Sequence, residues 1–201
     1  MSLAETWRLF VALTLPDAVR REIESLQTAW RSALPKEAIR WTRGDQLHLT
    51  LKFLGDIEAG RVRELTEALQ STSRAAAPLR LVAQGTGAFP NERSPRVLWV
   101  GLGDSEGRLA GLQRGVETAV TGFGRFESAG PFAGHITLGR VRDDGRSISG
   151  AVKALVSEAA GRKFGEWTAD TIDLIRSELS ADGARHTRLA ELRLGRGAAS
   201  A

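Results

Sequence analysis

The sequence contains no cysteine, which excludes disulfides and thiolate metal sites. No segment approaches the roughly 20 apolar residues needed to span a bilayer. The opening MSLAETWRLFVAL sets an acidic residue ahead of a short apolar run and offers no small-residue cleavage site. It reads as no signal peptide. These absences lead to the expectation of a cytoplasmic protein with no membrane partner. A phosphate-cradling loop is missing too, because GLGDSEG (101–107) lacks the spacing of a P-loop or a dinucleotide fingerprint. Charge of either sign is not in great excess: 28 Lys and Arg stand against 24 Asp and Glu. The basic residues are mostly arginine, whose planar fork suits phosphate. A solvated surface and an anion-binding face fit that balance equally, so charge supports a nucleic-acid reading without originating one.

At 201 residues the chain can build one packed domain or two small lobes sharing a core. Short segments alternate in type along it. RLFVALTL (8–15) reads as a buried strand, and Pro16–Asp17 opens a helix carrying Val19, Ile23, Leu26 and Trp30 at helical spacing. IRWT (39–42) and QLHLTLKFL (46–54) read as strands, followed by a helix over 58–73 with Val62, Leu65 and Leu69 on one face. LRLVAQGTGAF (79–89) and PRVLWVGL (95–102) are strands around the turn-rich PNERS. A helix over 105–121, the glycine-rich joint GFGRFESAGPFAG, the strand HITLGRV and a helix over 147–161 come next. TIDLIRSEL and HTRLAELRL close the chain as strands joined by SADGAR. Strands and helices are interleaved as roughly the same set twice. The expectation is an α+β fold with two pseudo-symmetric lobes of antiparallel-rich sheet and outer helices around a central cleft. Residues 1–194 are expected to form this single bilobal unit, and 195–201 a flexible tail.

Histidine is scarce, with only three in the chain, yet two of them head the same phrase: HLTL from His48 and HITL from His135. On a strand, side chains alternate faces. His48 and Thr50 therefore point one way while Leu49 and Leu51 point the other, and His135 and Thr137 behave alike. Side by side, the two strands would gather two imidazoles and two hydroxyls. Imidazole titrates at about 6.5, so one ring can be neutral while the other is charged. That suits a general base and a general acid working on a phosphoester without metal or cofactor. The hydroxyls, two residues along, can donate to non-bridging phosphate oxygens.

HLTLKFLG and HITLGRV resemble the paired His-x-Thr motifs of the 2H phosphoesterase superfamily, and in particular the RNA 2′,3′-cyclic phosphodiesterases, also called 2′-5′ RNA ligases. RLFVAL, RVLWVGL and IDLIRSELSADGARHTRL extend the resemblance over nearly the whole chain. It implies hydrolysis of RNA 2′,3′-cyclic phosphate ends, tRNA fragments among the candidates, to a 2′-phosphate. His48 would be the proton donor to the departing 3′ oxygen and His135 the acceptor that activates water. The reverse reaction, with an RNA 5′-hydroxyl, would give a 2′-5′ linkage without ATP. One departure is His186, where the family pattern leads one to expect an aromatic such as Tyr; it reads as a packing or surface variation.

Secondary candidates for substrate binding are weighed against ordinary structural roles. Lys52 falls on the His48 face by alternation and could attract phosphate, or be merely solvated. Arg140 is implied as a phosphate contact by the resemblance, but strict alternation would turn it away unless the strand bends near Gly139. Phe89 and Phe126 sit beside loops and could stack a base, whereas Phe53 is expected in the core. Asp143 and Asp144 read as a turn rather than a metal site. Two other readings stay open: an RNA-end-binding module without catalysis, and a phosphodiesterase acting on another cyclic phosphate such as one derived from ADP-ribose. A monomer is expected.

Overall fold

The computed structural model describes residues 5–124, 131–143, 145–180 and 183–195. Phe126, Asp144 and the tail 196–201 lie outside the described residues. In chain order the elements are β1 (Thr6–Thr14), α1 (Asp17–Ala33), β2 (Ile39–Trp41), β3 (His48–Glu58), α2 (Val62–Ala75), β4 (Leu79–Phe89) and β5 (Val97–Asp104). They continue with α3 (Leu109–Val120), β6 (His135–Val141), α4 (Ser149–Glu158), β7 (Lys163–Ala169), β8 (Thr171–Ser180) and β9 (Gly183–Arg193). The strands form one antiparallel sheet in the order β7-β4-β5-β6-β3-β1-β8-β9, with β2 also paired to β6.

The two halves of the sheet meet at β3 and β6, the strands that carry the repeated phrase. Their register rests on a single opposed pair, Leu49 with Ile136. Beyond it β3 diverges and β2 takes the place beside β6, with Ile39 opposite Val141 and Trp41 opposite Gly139. The fold is therefore α+β with two lobes, as the sequence leads one to expect, but the lobes are not the two halves of the chain. One lobe takes β1, β3, β8 and β9, and the other takes β2 and β4 to β7.

Each lobe has its own core on the helix-bearing face. Leu9, Val11 and Leu13 of β1 and Leu49 and Leu51 of β3 pack with Leu65 and Leu69 of α2 and Leu112 and Val116 of α3. In the other lobe, Val19, Ile23, Leu26 and Trp30 of α1 and Val152 and Val156 of α4 pack on Leu98, Val100, Ile136 and Leu138. The run in β1 is continuously apolar because both its faces are buried. Phe10 and Ala12 form a small separate cluster with Ile175. Buried Gln27 of α1 donates from Nε2 to the carbonyls of Thr42 (2.9 Å) and Leu138 (2.8 Å), fastening the helix to β6.

Three differences from the sequence reading have local causes. The strand β7 has no clear signal in the sequence, because Gly165 at φ 141° interrupts the alternation between Phe164 and Trp167. Helix α3 begins at Leu109 rather than 105: Asp104 accepts from the backbone N–H of Glu106 (3.0 Å) and Leu109 (2.6 Å), which commits the intervening residues to a turn. Helix α2 begins later than 58 because β3 runs on to Glu58.

One buried charge is poorly served. Asp173 of β8 is 0% exposed, and neither carboxylate oxygen makes a hydrogen bond of good geometry to a described residue. Arg188 Nη1 lies 3.7 Å away. Burial raises the Asp173 pKa, and the Arg188 charge and the neighbouring Thr14 hydroxyl oppose the rise only in part. A carboxyl raised in the folded state costs stability as pH climbs from its unfolded value, and the cost is full above the folded value. Asp173→Asn should therefore raise Tm at pH 7, by about 2–4 °C if the relieved cost is about 1 kcal/mol. The gain should shrink at pH 3.5. Thermal melts at the two pH values check this, and an unchanged or lower Tm at pH 7 would contradict it.

Candidate active site

The same irregularity occurs after each copy of the phrase. Between β1 and β3, Ala12 opposes Thr50 but Val11 opposes Lys52, so β3 carries one extra residue, Leu51. Between β5 and β6, Trp99 opposes Thr137 but Leu98 opposes Gly139, so the extra residue is Leu138. A bulge of this kind breaks the two-residue alternation and re-aims the side chains beyond it. Leu51 and Leu138 stay in the core, and the residue after each also faces away from the histidines.

This re-aiming decides three of the candidate residues, Lys52, Phe53 and Arg140. Lys52 shares the face of Val11 and bonds Glu117 of α3 at 2.5 Å, so it does not stand on the His48 face as alternation suggested. In the second copy the same position is Gly139, where a Cβ would lie 2.6 Å from Ile39 Cγ2, so the close strand β2 leaves no room for a side chain. The next residue returns to the cleft. In the first copy it is Phe53, which is 59% exposed and lines the cleft rather than the core. In the second it is Arg140, which also lines the cleft through the bend expected near Gly139.

Both imidazoles are anchored alike. His48 donates from Nδ1 to the carbonyl of Gln46 at 2.7 Å, and His135 from Nδ1 to the carbonyl of Ala133 at 2.8 Å. A carbonyl can only accept, so each ring, when neutral, carries its proton on Nδ1 and presents Nε2 as an acceptor. His48 Nε2 meets Thr50 Oγ1 at 3.0 Å. Carrying the antiparallel register one residue either way from Leu49–Ile136 sets His48 across from Thr137 and Thr50 across from His135. The four polar groups thus form a crossed quartet about the seam between the lobes.

Aromatic rings support the quartet from both sides. Phe10 stacks on His48 with centroids 4.8 Å apart at 27°, and Phe89 meets His135 edge-on at 5.0 Å and 85°. Phe89 also packs on Trp99 at 5.2 Å, so it braces the second imidazole. Of the two readings of His186, packing or surface variation, the structure favours packing. The His186 ring lies edge-on to His48 at 5.6 Å and to Phe10 at 5.0 Å, on the cleft wall. Burial pushes the His48 pKa down to about 4, against the Gln46 carbonyl bond, which raises it; charge on His186 or His135 lowers it further. Burial lowers His186 as well, with Asp45 opposing.

The cleft has a volume of about 360 Å³, within the range of small-molecule sites. His48, Thr50, Thr137 and Arg140 line it; His135 heads β6 at its border, next to the segment outside the described residues. Its described walls hold three arginines, Arg8, Arg40 and Arg140, and no Asp or Glu. The two large apolar side chains most exposed among the described residues, Phe53 and Leu179 (69%), both stand on this wall. Among the described residues no three His, Cys, Asp or Glu side chains are grouped to hold a metal ion.

The sequence pattern of a family described as LigT-like phosphoesterase matches residues 13–99. An RNA 2′,3′-cyclic phosphodiesterase of Thermus thermophilus is 34% identical over 197 residues, covering 93% of this chain and 90% of the relative. The chain belongs to the LigT-like phosphoesterase family. A second relative of the same name, from Methanothermobacter thermautotrophicus, is 29% identical over 93% of this chain and 98% of its own length. A crystal structure of a Thermus thermophilus protein superposes with a TM-score of 0.76 at 31% identity, over 94% of this chain and 98% of the other. That of E. coli LigT complexed with 3′-AMP gives 0.74 at 28% identity, over 94% and 99%. No helix among the described residues is long and apolar enough to cross a membrane.

The anchoring of His48 can be measured. Its imidazole should titrate near pH 4 in the free protein, as the Nδ1–H tautomer, by ¹⁵N-detected NMR. Phe10→Ala admits water to the ring, so the pKa should climb back toward the ordinary value of about 6.5. A His48 that titrates near 6.5 in the unaltered protein would contradict the burial argument.

Proposed function

We propose that this phosphoesterase is an RNA 2′,3′-cyclic phosphodiesterase that opens the cyclic ester to a 2′-phosphate, with His48 and His135 as proton donor and acceptor. The observation that carries the reading is the matched pair of imidazoles, each held by Nδ1 to the carbonyl two residues before it, which sets Nε2 as the other working nitrogen of each ring. The relatives that share its family are named for this activity. The two lobes act as one catalytic unit, since each supplies one imidazole.

In the proposed step, His135 Nε2 takes a proton from water as the water oxygen bonds to phosphorus. The bond from phosphorus to O3′ breaks, and His48 Nε2 gives its proton to O3′. The ester to O2′ survives, so the product is a 2′-phosphate. Thr50 and Thr137 turn their hydroxyls to the non-bridging oxygens, and Arg140 offsets the charge that gathers there. Phe53 and Leu179 offer the base an apolar wall, in keeping with an RNA end. An RNA 5′-hydroxyl in the place of water would give a 2′-5′ linkage with no nucleotide triphosphate, because the strained ring already holds the activated phosphorus.

A donor must carry a proton on Nε2, whereas burial keeps His48 neutral before substrate binds. The phosphate brings an anion beside the ring, and an adjacent opposite charge favours the imidazolium. Adding a nucleoside 2′-phosphate should therefore raise the His48 pKa above about 4 in an NMR titration. If it stays there, the donor role passes to His135.

Activity itself is tested by incubating the protein with a nucleoside 2′,3′-cyclic phosphate in excess EDTA. Turnover to the 2′-phosphate is expected, with His48→Ala and His135→Ala each lowering kcat by about 10²–10⁴-fold. A 3′-phosphate product, or turnover indifferent to both substitutions, would sink the assignment.

A further inference from the structure

Opening a lone cyclic phosphate needs one anion site, and the cleft holds the parts of two. Arg40 of β2 stands directly across from Arg140 of β6. Opposed residues in an antiparallel pair share a face, with Cα atoms ~4.5–5.5 Å apart. Like charges set in that relation repel and weaken the pair. Neither guanidinium makes a hydrogen bond or an ion pair with a described residue, both are exposed, and both line the cleft. Nearby arginines are treated differently: Arg142 pairs with Glu37 at 3.7 Å, and Arg43 bonds Asp45 through Nε at 3.0 Å. Acids are thus at hand on both sides of the opposed pair and are kept out of the cleft.

The backbone beneath Arg40 is fixed. Ile39 is buried in the core beside α1, the Thr42 N–H donates to the Leu138 carbonyl at 2.9 Å, and the Arg142 N–H donates to the Ala38 carbonyl at 3.0 Å. The backbone that carries Arg40 is therefore held in place before any ligand arrives, so binding has only the side chain left to order. Arg140 lies in the strand of Thr137, while Arg40 stands on the seam side of that strand, where β2 takes the place of β3 beside β6.

We propose that Arg40 holds a second phosphate, the phosphodiester on the 5′ side of the terminal nucleotide, so that the cleft selects RNA chains over free nucleoside cyclic phosphates. This rests on the cyclic phosphodiesterase reading. When the cyclic ester occupies O2′ and O3′, the one ester position left on that ribose is O5′. A second phosphate on the same nucleotide must sit there. The opposed arginines then take one phosphate each, and the repulsion that weakens the empty strand pair is relieved by the substrate.

Two pairs of probes test the proposal. By calorimetry, adenosine 2′,5′-bisphosphate should bind the protein about tenfold more tightly than adenosine 2′-phosphate, as one charge-assisted contact predicts. In kinetics, adenosine 2′,3′-cyclic phosphate bearing a 5′-phosphate should exceed the 5′-hydroxyl form in kcat/KM by a similar factor. Arg40→Gln should bring both ratios to about one, while its Tm stays level or rises because an unfavourable charge pair is gone. Arg140→Gln should weaken all the probes. Equal binding of the two ligands by the unaltered protein, or a preference that persists in Arg40→Gln, would overturn the proposal and leave the phosphodiesterase reading intact. Absence of turnover on both cyclic substrates would overturn that reading instead; a bisphosphate preference lost in Arg40→Gln would still place the second phosphate at Arg40.

Discussion

The active face depends on one inserted residue in each of two strands. Without the bulges at Leu51 and Leu138 the same residues would alternate strictly, Phe53 and Arg140 would point into the cores, and Lys52 would enter the cleft. A β-bulge permits what alternation forbids: two consecutive residues on the buried side, followed by a side chain thrown back to the open face. In both copies the inserted residue is a fully or nearly fully buried leucine. Burying it secures the bulge, because shifting the register to remove the irregularity would drive an apolar side chain into the cleft. The repeat is thus a repeat of backbone geometry as much as of histidines.

Given that scaffold, near-symmetry is turned into two unlike half-sites. The residue thrown back is aromatic in one copy and cationic in the other, so one side of the cleft suits a base and the other an anion. The rings behind the imidazoles also differ: Phe10 lies flat against His48, while Phe89 presents its edge to His135. A stacked ring excludes water from the imidazole face, and burial is accordingly the leading reason for the low pKa of His48. His186 adds a third imidazole to that wall, where its own charge would make His48 still harder to protonate. Acid and base chemistry need two groups of the same kind in different states, and unequal surroundings are how one residue type supplies both.

Much of this was legible in the sequence. The repeated phrase on a two-residue period placed both histidines and both threonines on one face, and the helical spacing of Val19, Ile23, Leu26 and Trp30 located α1. Alternation failed at Lys52 and Phe53, because a bulge is set by pairing with a partner strand and leaves no local mark. It succeeded for Arg140 only through the adjacent glycine, since a residue without a side chain announces close packing. Arg40 was invisible for a related reason. A short strand gives no periodic signal, and the significance of Arg40 comes from what lies across from it. For His186, the packing alternative of the sequence reading holds, though the ring it packs against belongs to the site, which only the paired strands show.

The cleft and the rest of the surface obey opposite electrostatic rules. Outside it, arginines are repeatedly matched with carboxylates, as in Arg80 with Glu166 and Arg162 with Glu22. Such exposed pairs contribute little stability, but they cancel charge locally. Inside it, three arginines face a hollow whose described walls carry no carboxylate. A small net charge on the whole chain therefore coexists with a strongly positive cleft, because neutralisation is distributed unevenly. That distribution serves recognition at the expense of stability: unmatched cations in a concave site concentrate their field on an incoming anion. It also explains why composition alone could not separate a solvated surface from an anion site. The information lies in which arginines lack an acid beside them, and that becomes visible only once the strands are paired.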